Sequence, residues 1–130
     1  MVTIGIDFGY SAVRVGIYND FEEDEVPKAE VLPNDLGDRS TPTVIAIDDH
    51  TRLVGVDAIT HSALCPHNAV YGIKRIIGRQ ELDNVFMEHK KRFPFESKVK
   101  NGRMMCSFTT SDGDAEERTF EELLAFIFHK

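Results

Sequence analysis

The sequence predicts an α/β fold in which strands paired as hairpins are flanked by helices, and three observations carry that expectation. Two apolar runs, Val2–Asp7 and Ala12–Tyr18, flank a glycine-containing turn at Phe8–Ser11 and read as a β-hairpin. Asn101-Gly102 lies between Lys98–Lys100 and Arg103–Phe108, the strongest short-range hairpin signal in the chain. Towards the end, Thr119 and Glu122 have capping-box spacing, and Phe120, Leu123, Leu124, Ile127 and Phe128 recur at helical intervals.

Between these landmarks the elements follow in order. Asp20–Glu25 places five acids in six residues and reads as a solvated loop. Lys28–Leu32 reads as a third strand, and Pro33–Pro42 is rich in turn formers. Thr43–Ile47 is β-branched and strand-like; Asp48–Thr51 turns it into Arg52–Gly55. A helix is expected from an N-cap at Asp57 to Cys65, where Pro66 stops it. A short helix over Val70–Ile77 ending at Gly78, another within Glu81–Arg92 and a turn at Asp112-Gly113 complete the reading. The apolar stripe of the last helix runs to Phe128 with only His129 and Lys130 beyond it, so its partner surface is expected to lie partly after residue 130.

Composition bounds the function. A chain of 130 residues with 42% apolar and 28% charged residues has enough material for one domain with a core, which excludes disordered and fibrous classes. The formal charge of −7 argues against a nucleic-acid coat or a binder of anionic membranes, and no apolar run approaches the roughly 20 residues needed to span a bilayer. Cys65 and Cys106 are too few for a disulfide framework, and no signal-peptide pattern opens the chain, so a cytoplasmic protein is expected.

The stretch Ile4–Tyr18 is the richest in chemistry. The tip of such a hairpin gathers backbone N–H groups and hydroxyls into a small concavity suited to phosphate oxygens, and Asp7 at the strand end could hold a hydrated Mg²⁺. No Walker A pattern is present. Lys74–Arg79 is a basic patch in an acidic chain: either a solvated face or, in a functional version, a place for Lys74 to offset charge at a terminal phosphate. His61 and Cys65 at i, i+4, with His67 nearby, could be a soft-metal pair. No fourth ligand is evident, so packing is the preferred reading. Phe86, Phe93, Phe95 and Phe108 are expected in the core or on subdomain faces.

Together these stretches resemble the heat-shock protein 70 (DnaK-like) family. The matching text is I-G-I-D-F-G at Ile4–Gly9, N-D-L-G-D-R-S-T-P at Asn34–Pro42, R-L-V-G at Arg52–Gly55, H-N-A-V-Y-G-I-K-R-I-I-G-R at His67–Arg79 and F-E-E-L at Phe120–Leu123. The resemblance implies an actin-like ATPase (ribonuclease H-like) fold, here partial: the N-terminal part of the nucleotide-binding domain, with residues 1–42 and 119–130 in an inner subdomain and 43–118 in an outer one. It implies ATP/ADP and Mg²⁺ as cofactors. It further implies that Asp7 lies near the metal's hydration shell, that Gly9, Tyr10, Ser11 and Ala12 form the first phosphate turn, that Lys74 serves hydrolysis with Arg75 beside it, and that Pro42 marks a crossing between subdomains. For a full-length protein it implies unfolded polypeptide clients, J-domain co-chaperones and nucleotide-exchange factors. The pair Tyr10-Ser11 departs from the family's usual two threonines, Ala12 replaces a larger residue, and the acidic stretch lengthens the hairpin loop. A poorly hydrolysing or non-hydrolysing interaction module and an actin-like sugar kinase are the alternatives. The isolated chain, offering one wall of a cleft, is expected to bind ATP weakly and hydrolyse none.

Overall fold

Antiparallel strand pairing around three central strands organises the protein, seen in a computed structural model that describes residues 1–19, 28–79 and 83–130. The acidic stretch Asp20–Glu25 lies outside the described residues. The chain forms two compact units, Met1–Pro42 and Thr43–Lys130.

In the first unit, β1 (Val2–Phe8) pairs antiparallel with β2 (Ala12–Asn19), Phe8 opposite Val13 and Val2 opposite Asn19. The other edge of β2 pairs with β3 (Lys28–Val31) and, nearer the hairpin tip, with the two-residue β4 (Thr41–Pro42). The expected turn-rich segment from Pro33 to Pro42 is therefore ordered back onto the sheet. Asn34 organises it: its Oδ1 accepts from the Leu36 and Asp38 amides at 3.0 Å, and its Nδ2 donates to the Ser40 carbonyl and the Thr41 hydroxyl at 3.2 Å. One side-chain amide thus satisfies four groups of a tight loop, with Gly37 at φ +86° making the reversal.

In the second unit, β5 (Val44–Asp48) lies between β6 (Thr51–Val54) and β7 (Ala69–Tyr71). Ile45, Ala46 and Ile47 are all buried, so this apolar run lacks the alternation of a half-exposed strand. The helix α1 (Val56–Leu64) packs on the sheet where Ala46, Ala58 and Ala69 meet, three small side chains that let helix and strands approach closely. The expected N-cap at Asp57 is corrected to Gly55. That residue sits at φ 75° and donates its N–H to the Val44 carbonyl at 2.9 Å, while Asp57 lies in the first turn, where its charge suits the helix dipole. Pro66 ends the helix and opens a 3-10 turn, Pro66–Asn68.

The expected helix over Val70–Ile77 is corrected as well. Ala69–Tyr71 extends as β7 against β5, Gly72 takes a left-handed conformation, and a 3-10 turn spans Ile73–Arg75. Strand pairing outweighs helical spacing here because Val70 and Ala69 fill the core beside β5. Within the expected Glu81–Arg92 helix, α2 covers Asn84–Lys90; Asp83 caps it, its Oδ1 accepting from the Phe86 amide at 3.3 Å.

A second sheet follows, in the order β10-β9-β8: β8 (Glu96–Lys100), β9 (Arg103–Thr109) and β10 (Ala115–Thr119). Asn101 and Gly102 both take positive φ, as the Asn-Gly hairpin signal requires. The Asp112-Gly113 turn proves to be a hairpin turn too, leading into β10, a strand the polar text Glu116-Glu117-Arg118 conceals. Buried Asn68 joins this sheet to the 3-10 turn at Pro66–Asn68, donating to the Thr109 carbonyl at 2.7 Å and accepting from its amide at 2.9 Å. Asp49 and His50, in the β5–β6 turn, bind the Ser111 amide at 2.7 Å and the Glu116 carboxylate at 3.1 Å. The last helix, α3 (Phe120–His129), begins at the expected capping box: the Thr119 hydroxyl accepts from the Glu122 amide and the Glu122 carboxylate accepts from the Thr119 amide. Its buried Phe120, Leu123 and Ile127 fall on the predicted stripe, and the Arg52 guanidinium lies 4.5 Å from the Phe126 ring centre. The four phenylalanines singled out earlier divide as expected: Phe86, Phe95 and Phe108 are buried, and Phe93 stacks on Phe95 at 4.7 Å between ring centres.

Two outcomes follow for stability. Thr119→Ala removes the reciprocal cap and is expected to lower unfolding free energy by about 1 kcal/mol in urea titrations. Lys98 and Lys100 both bind Glu117, and their hydrogen bonds hold its carboxyl down at about 2. Because the folded-state value is depressed, this contribution is present above the ordinary glutamate value of about 4.3 and lost as pH falls towards about 2. The pair Lys98→Met and Lys100→Met is expected to flatten the fall in stability across that window at low salt, with less effect at high salt, since these groups are exposed.

Candidate functional site

The first candidate feature is the β1–β2 tip, and its shape comes from a single close approach. The Gly9 amide donates to the Ala12 carbonyl at 2.9 Å, and a Cβ on Gly9 would stand 2.6 Å from that same oxygen. No side chain fits there, so glycine is required by contact distance, not by an unusual φ. Tyr10 and Ser11 cross the tip with exposed side chains, Tyr10 at 42%. On the far side of the turn, Ala12 pairs with Pro42 and Val13 with Thr41, which brings the D-R-S-T-P run alongside the tip.

Asp7 lies opposite Arg14, and their side chains meet at 3.1 Å, both about half exposed or more. The sequence reading of Asp7 as a carboxylate for a hydrated Mg²⁺ did not include this neighbour. The signal was available, because Asp7 and Arg14 stand equally far from the turn and so share a cross-strand row. Chemically, Arg14 offsets the charge of Asp7 and leaves the carboxylate oriented by a cation at the edge of the tip. The donor set still suits a hydrated Mg²⁺ with phosphates: an exposed carboxylate at Asp7 and an exposed hydroxyl at Ser11 beside a glycine turn.

The second feature lies in the other unit. Gly72, in the left-handed conformation, starts the 3-10 turn Ile73–Arg75, and buried Ile73 and Ile76 anchor it. Lys74 and Arg75, between those anchors, are exposed and adjacent. The remainder of the basic run has structural duties: the Arg79 Nε donates to the Arg75 carbonyl at 2.7 Å, and its guanidinium pairs with Asp83 at 2.8 Å. Asp7, Gly9, Tyr10, Ser11 and Ala12 are thus assembled on one turn, whereas Lys74 and Arg75 are carried by a separate turn of the second unit. Among the described residues, no group of three or more His, Cys, Asp or Glu could hold a metal ion, so His61, Cys65 and His67 form no such cluster. Cys106 is buried, which pushes its thiol well above the ordinary range and leaves it a packing residue.

The mixed α/β architecture, antiparallel sheets with a few helices, is that of part of an actin-like nucleotide-binding domain. The family described as "Hsp70 protein" matches residues 3–130, and the chain belongs to the Hsp70 family. It is 33% identical over 99% of its length to the putative heat shock 70 kDa protein 7 of Homo sapiens, covering 33% of that protein. It is 34% identical over 98% of its length to the heat shock 70 kDa protein of Ajellomyces capsulatus, covering 17% of it. To the heat shock cognate 70 kDa protein 3 of Dictyostelium discoideum it is 34% identical over its whole length, covering 20%. The chain therefore spans a third or less of the length of these relatives and carries part of the actin-like ATPase fold.

The close approach at Gly9 makes a direct prediction. Gly9→Ala is expected to destabilise the first unit by at least about 1 kcal/mol, seen as faster amide exchange across β1 and β2. Gly5→Ala, where an added Cβ meets nothing within 4 Å, is expected to leave that exchange unchanged or slower.

Proposed function

We propose that the chain supplies part of the ATP site of an Hsp70-like molecular chaperone, which in its full-length form uses ATP to drive binding and release of unfolded polypeptides. The observation that carries this reading is the Hsp70 family match across residues 3–130, which contains both the glycine turn and the Lys74 turn. ATP/ADP with Mg²⁺ is the cofactor, J-domain co-chaperones and nucleotide-exchange factors are the partners, and the compartment is the cytoplasm. The bound Mg²⁺–nucleotide supplies the reacting phosphate. The protein's own groups would position phosphates and offset charge: the Gly9–Ala12 turn would present backbone N–H groups and the Ser11 hydroxyl to phosphate oxygens, Asp7 would hold the hydrated metal, and Lys74, assisted by Arg75, would offset negative charge during phosphoryl transfer.

A second reading rests on Tyr10. Its exposed ring stands at the tip where a small hydroxyl residue is the family's usual choice, which favours a slow or non-hydrolysing member that recruits partners. The two readings separate when residues 1–130 replace the matching segment of a full-length Hsp70 relative. On the ATPase reading, Lys74→Ala abolishes turnover and Tyr10→Thr raises it; on the second, neither substitution changes an already negligible rate. Calorimetry on the 130-residue chain alone is expected to show no micromolar ATP binding, because the chain offers only part of the site, and micromolar affinity would contradict that.

A further inference from the structure

We propose that Arg79 is the positioning residue of the Lys74 turn: its forked guanidinium ties the Arg75 carbonyl to Asp83 and so fixes the backbone from which Lys74 projects. The inference rests on the ATP-site reading for the role of Lys74, while the tether itself stands on geometry. The turn is short and has little support of its own. Before it, β7 is held by β5, and Gly72 reverses the chain at φ 68°. Inside it the Arg75 amide donates to the Gly72 carbonyl at 2.9 Å. The Ile76 and Ile77 amides both donate to the Ile73 carbonyl, at 3.0 and 2.9 Å. A 3-10 turn of three residues has poorer hydrogen-bond geometry than an α-helix and gains none of its cooperativity. Lys74 and Arg75 are exposed, so burial of their own side chains does not steady them.

Beyond the turn the main chain leaves helical order. In an α-helix the Arg79 amide would donate to the Arg75 carbonyl, four residues back. Here it donates to the Ile76 carbonyl at 3.1 Å, with Gly78 at φ +73° turning the chain. The Arg79 side chain takes over that bond: Nε donates to the Arg75 carbonyl at 2.7 Å. Nη1 of the same guanidinium donates to Asp83 Oδ2 at 2.8 Å. The other oxygen of Asp83 accepts from the amide of buried Phe86 in α2 at 3.3 Å. A continuous path therefore runs from the core through Asp83 and Arg79 to the carbonyl next to Lys74. Both contacts of Arg79 are charge-assisted and leave from one rigid plane, so the path transmits position as well as energy. The side chains of Arg79 and Asp83 are only 36% and 30% exposed, which sets the pair apart from the freely solvated ion pairs of the surface. Lysine is no substitute, because an ammonium is a point charge without the guanidinium's paired directions.

Amide exchange on the 130-residue chain reads the tether without nucleotide. Arg79→Ala is expected to speed exchange of the Arg75, Ile76 and Ile77 amides by about tenfold and to leave the amides of β9 unchanged. Arg79→Lys, which keeps the charge and loses the fork, is expected to match Arg79→Ala. Turnover reads the consequence for Lys74. With residues 1–130 in place of the matching segment of a full-length Hsp70 relative, Arg79→Ala is expected to lower kcat by about tenfold, while calorimetry gives ATP affinity and stoichiometry unchanged within about twofold. A merely structural defect would instead lower the stoichiometry. Unchanged exchange at the three amides overturns the proposal, as does equal speeding across β9 or full rescue by lysine. Faster exchange with kcat unchanged also overturns it, and so does a loss of ATP affinity with kcat preserved, since Arg79 would then contact the nucleotide itself. If the unsubstituted chimera hydrolyses no ATP, the ATPase reading of Lys74 fails, and exchange still decides whether Arg79 holds the turn.

Discussion

The contact between Gly9 and the Ala12 carbonyl governs the first unit. It is a single hydrogen bond with no room for a side chain, and it sets the phase of everything along the two strands behind it. The register that starts there puts Asp7 beside Arg14, sets Gly5 against Gly16, and turns the amides and carbonyls of Ile4 and Ile6 away from β2. The glycine pair matters in turn, because a Cβ on Gly16 would come within 3.2 Å of the Glu30 carbonyl of β3. Position of the carboxylate, spacing of the third strand and phase of the hairpin's hydrogen bonds are therefore consequences of one turn.

A comparable economy of side-chain volume rules the second unit. Ala46, Ala58 and Ala69 bring α1 close to the sheet, and β7 extends because its residues complete that core. Gly72 then reverses the chain with Ile73 and Ile76 inserted as anchors, and Lys74 and Arg75 are left outward by exclusion. The lysine's placement comes from its apolar neighbours: enlarging an alanine in the core or shrinking Ile73 would shift the turn without touching a charged group.

Most of the fold was legible in the sequence wherever the signal was local. The Asn101-Gly102 hairpin, the Thr119 capping box and the β1–β2 pair are written in turn chemistry and period. What escaped depends on partners distant in sequence. Val70–Ile77 has helical spacing, yet Ala69–Tyr71 is drawn into a strand by β5, more than 20 residues upstream. The strand β10 is polar by composition and exists because β9 and the Asp112-Gly113 turn hold it. Asn34 and Asn68 look like ordinary loop residues until their amides are seen bridging backbone groups that no periodicity records. At the site, the glycine turn was readable from its motif and the Arg14 partner of Asp7 only from the hairpin register.

Fold and chemistry are therefore separable at the hairpin tip, and the separation explains where this chain is able to depart from its family. Gly9 is held by the backbone of its own turn, and any side chain there would cost the hairpin its register. Tyr10, one residue on, is 42% exposed and faces solvent as well as its neighbours. A substitution at Tyr10 changes the size of the surface at the tip and the reach of its hydroxyl. Asp7 stands between these extremes: its backbone is fixed by β2, while its carboxylate is held by an exposed ion pair of the kind worth at most about 1 kcal/mol. An interaction that weak orients the carboxylate without locking it. The tip is thus set in its main chain by one close contact, while the carboxylate at its edge is held only by an exposed and weak ion pair.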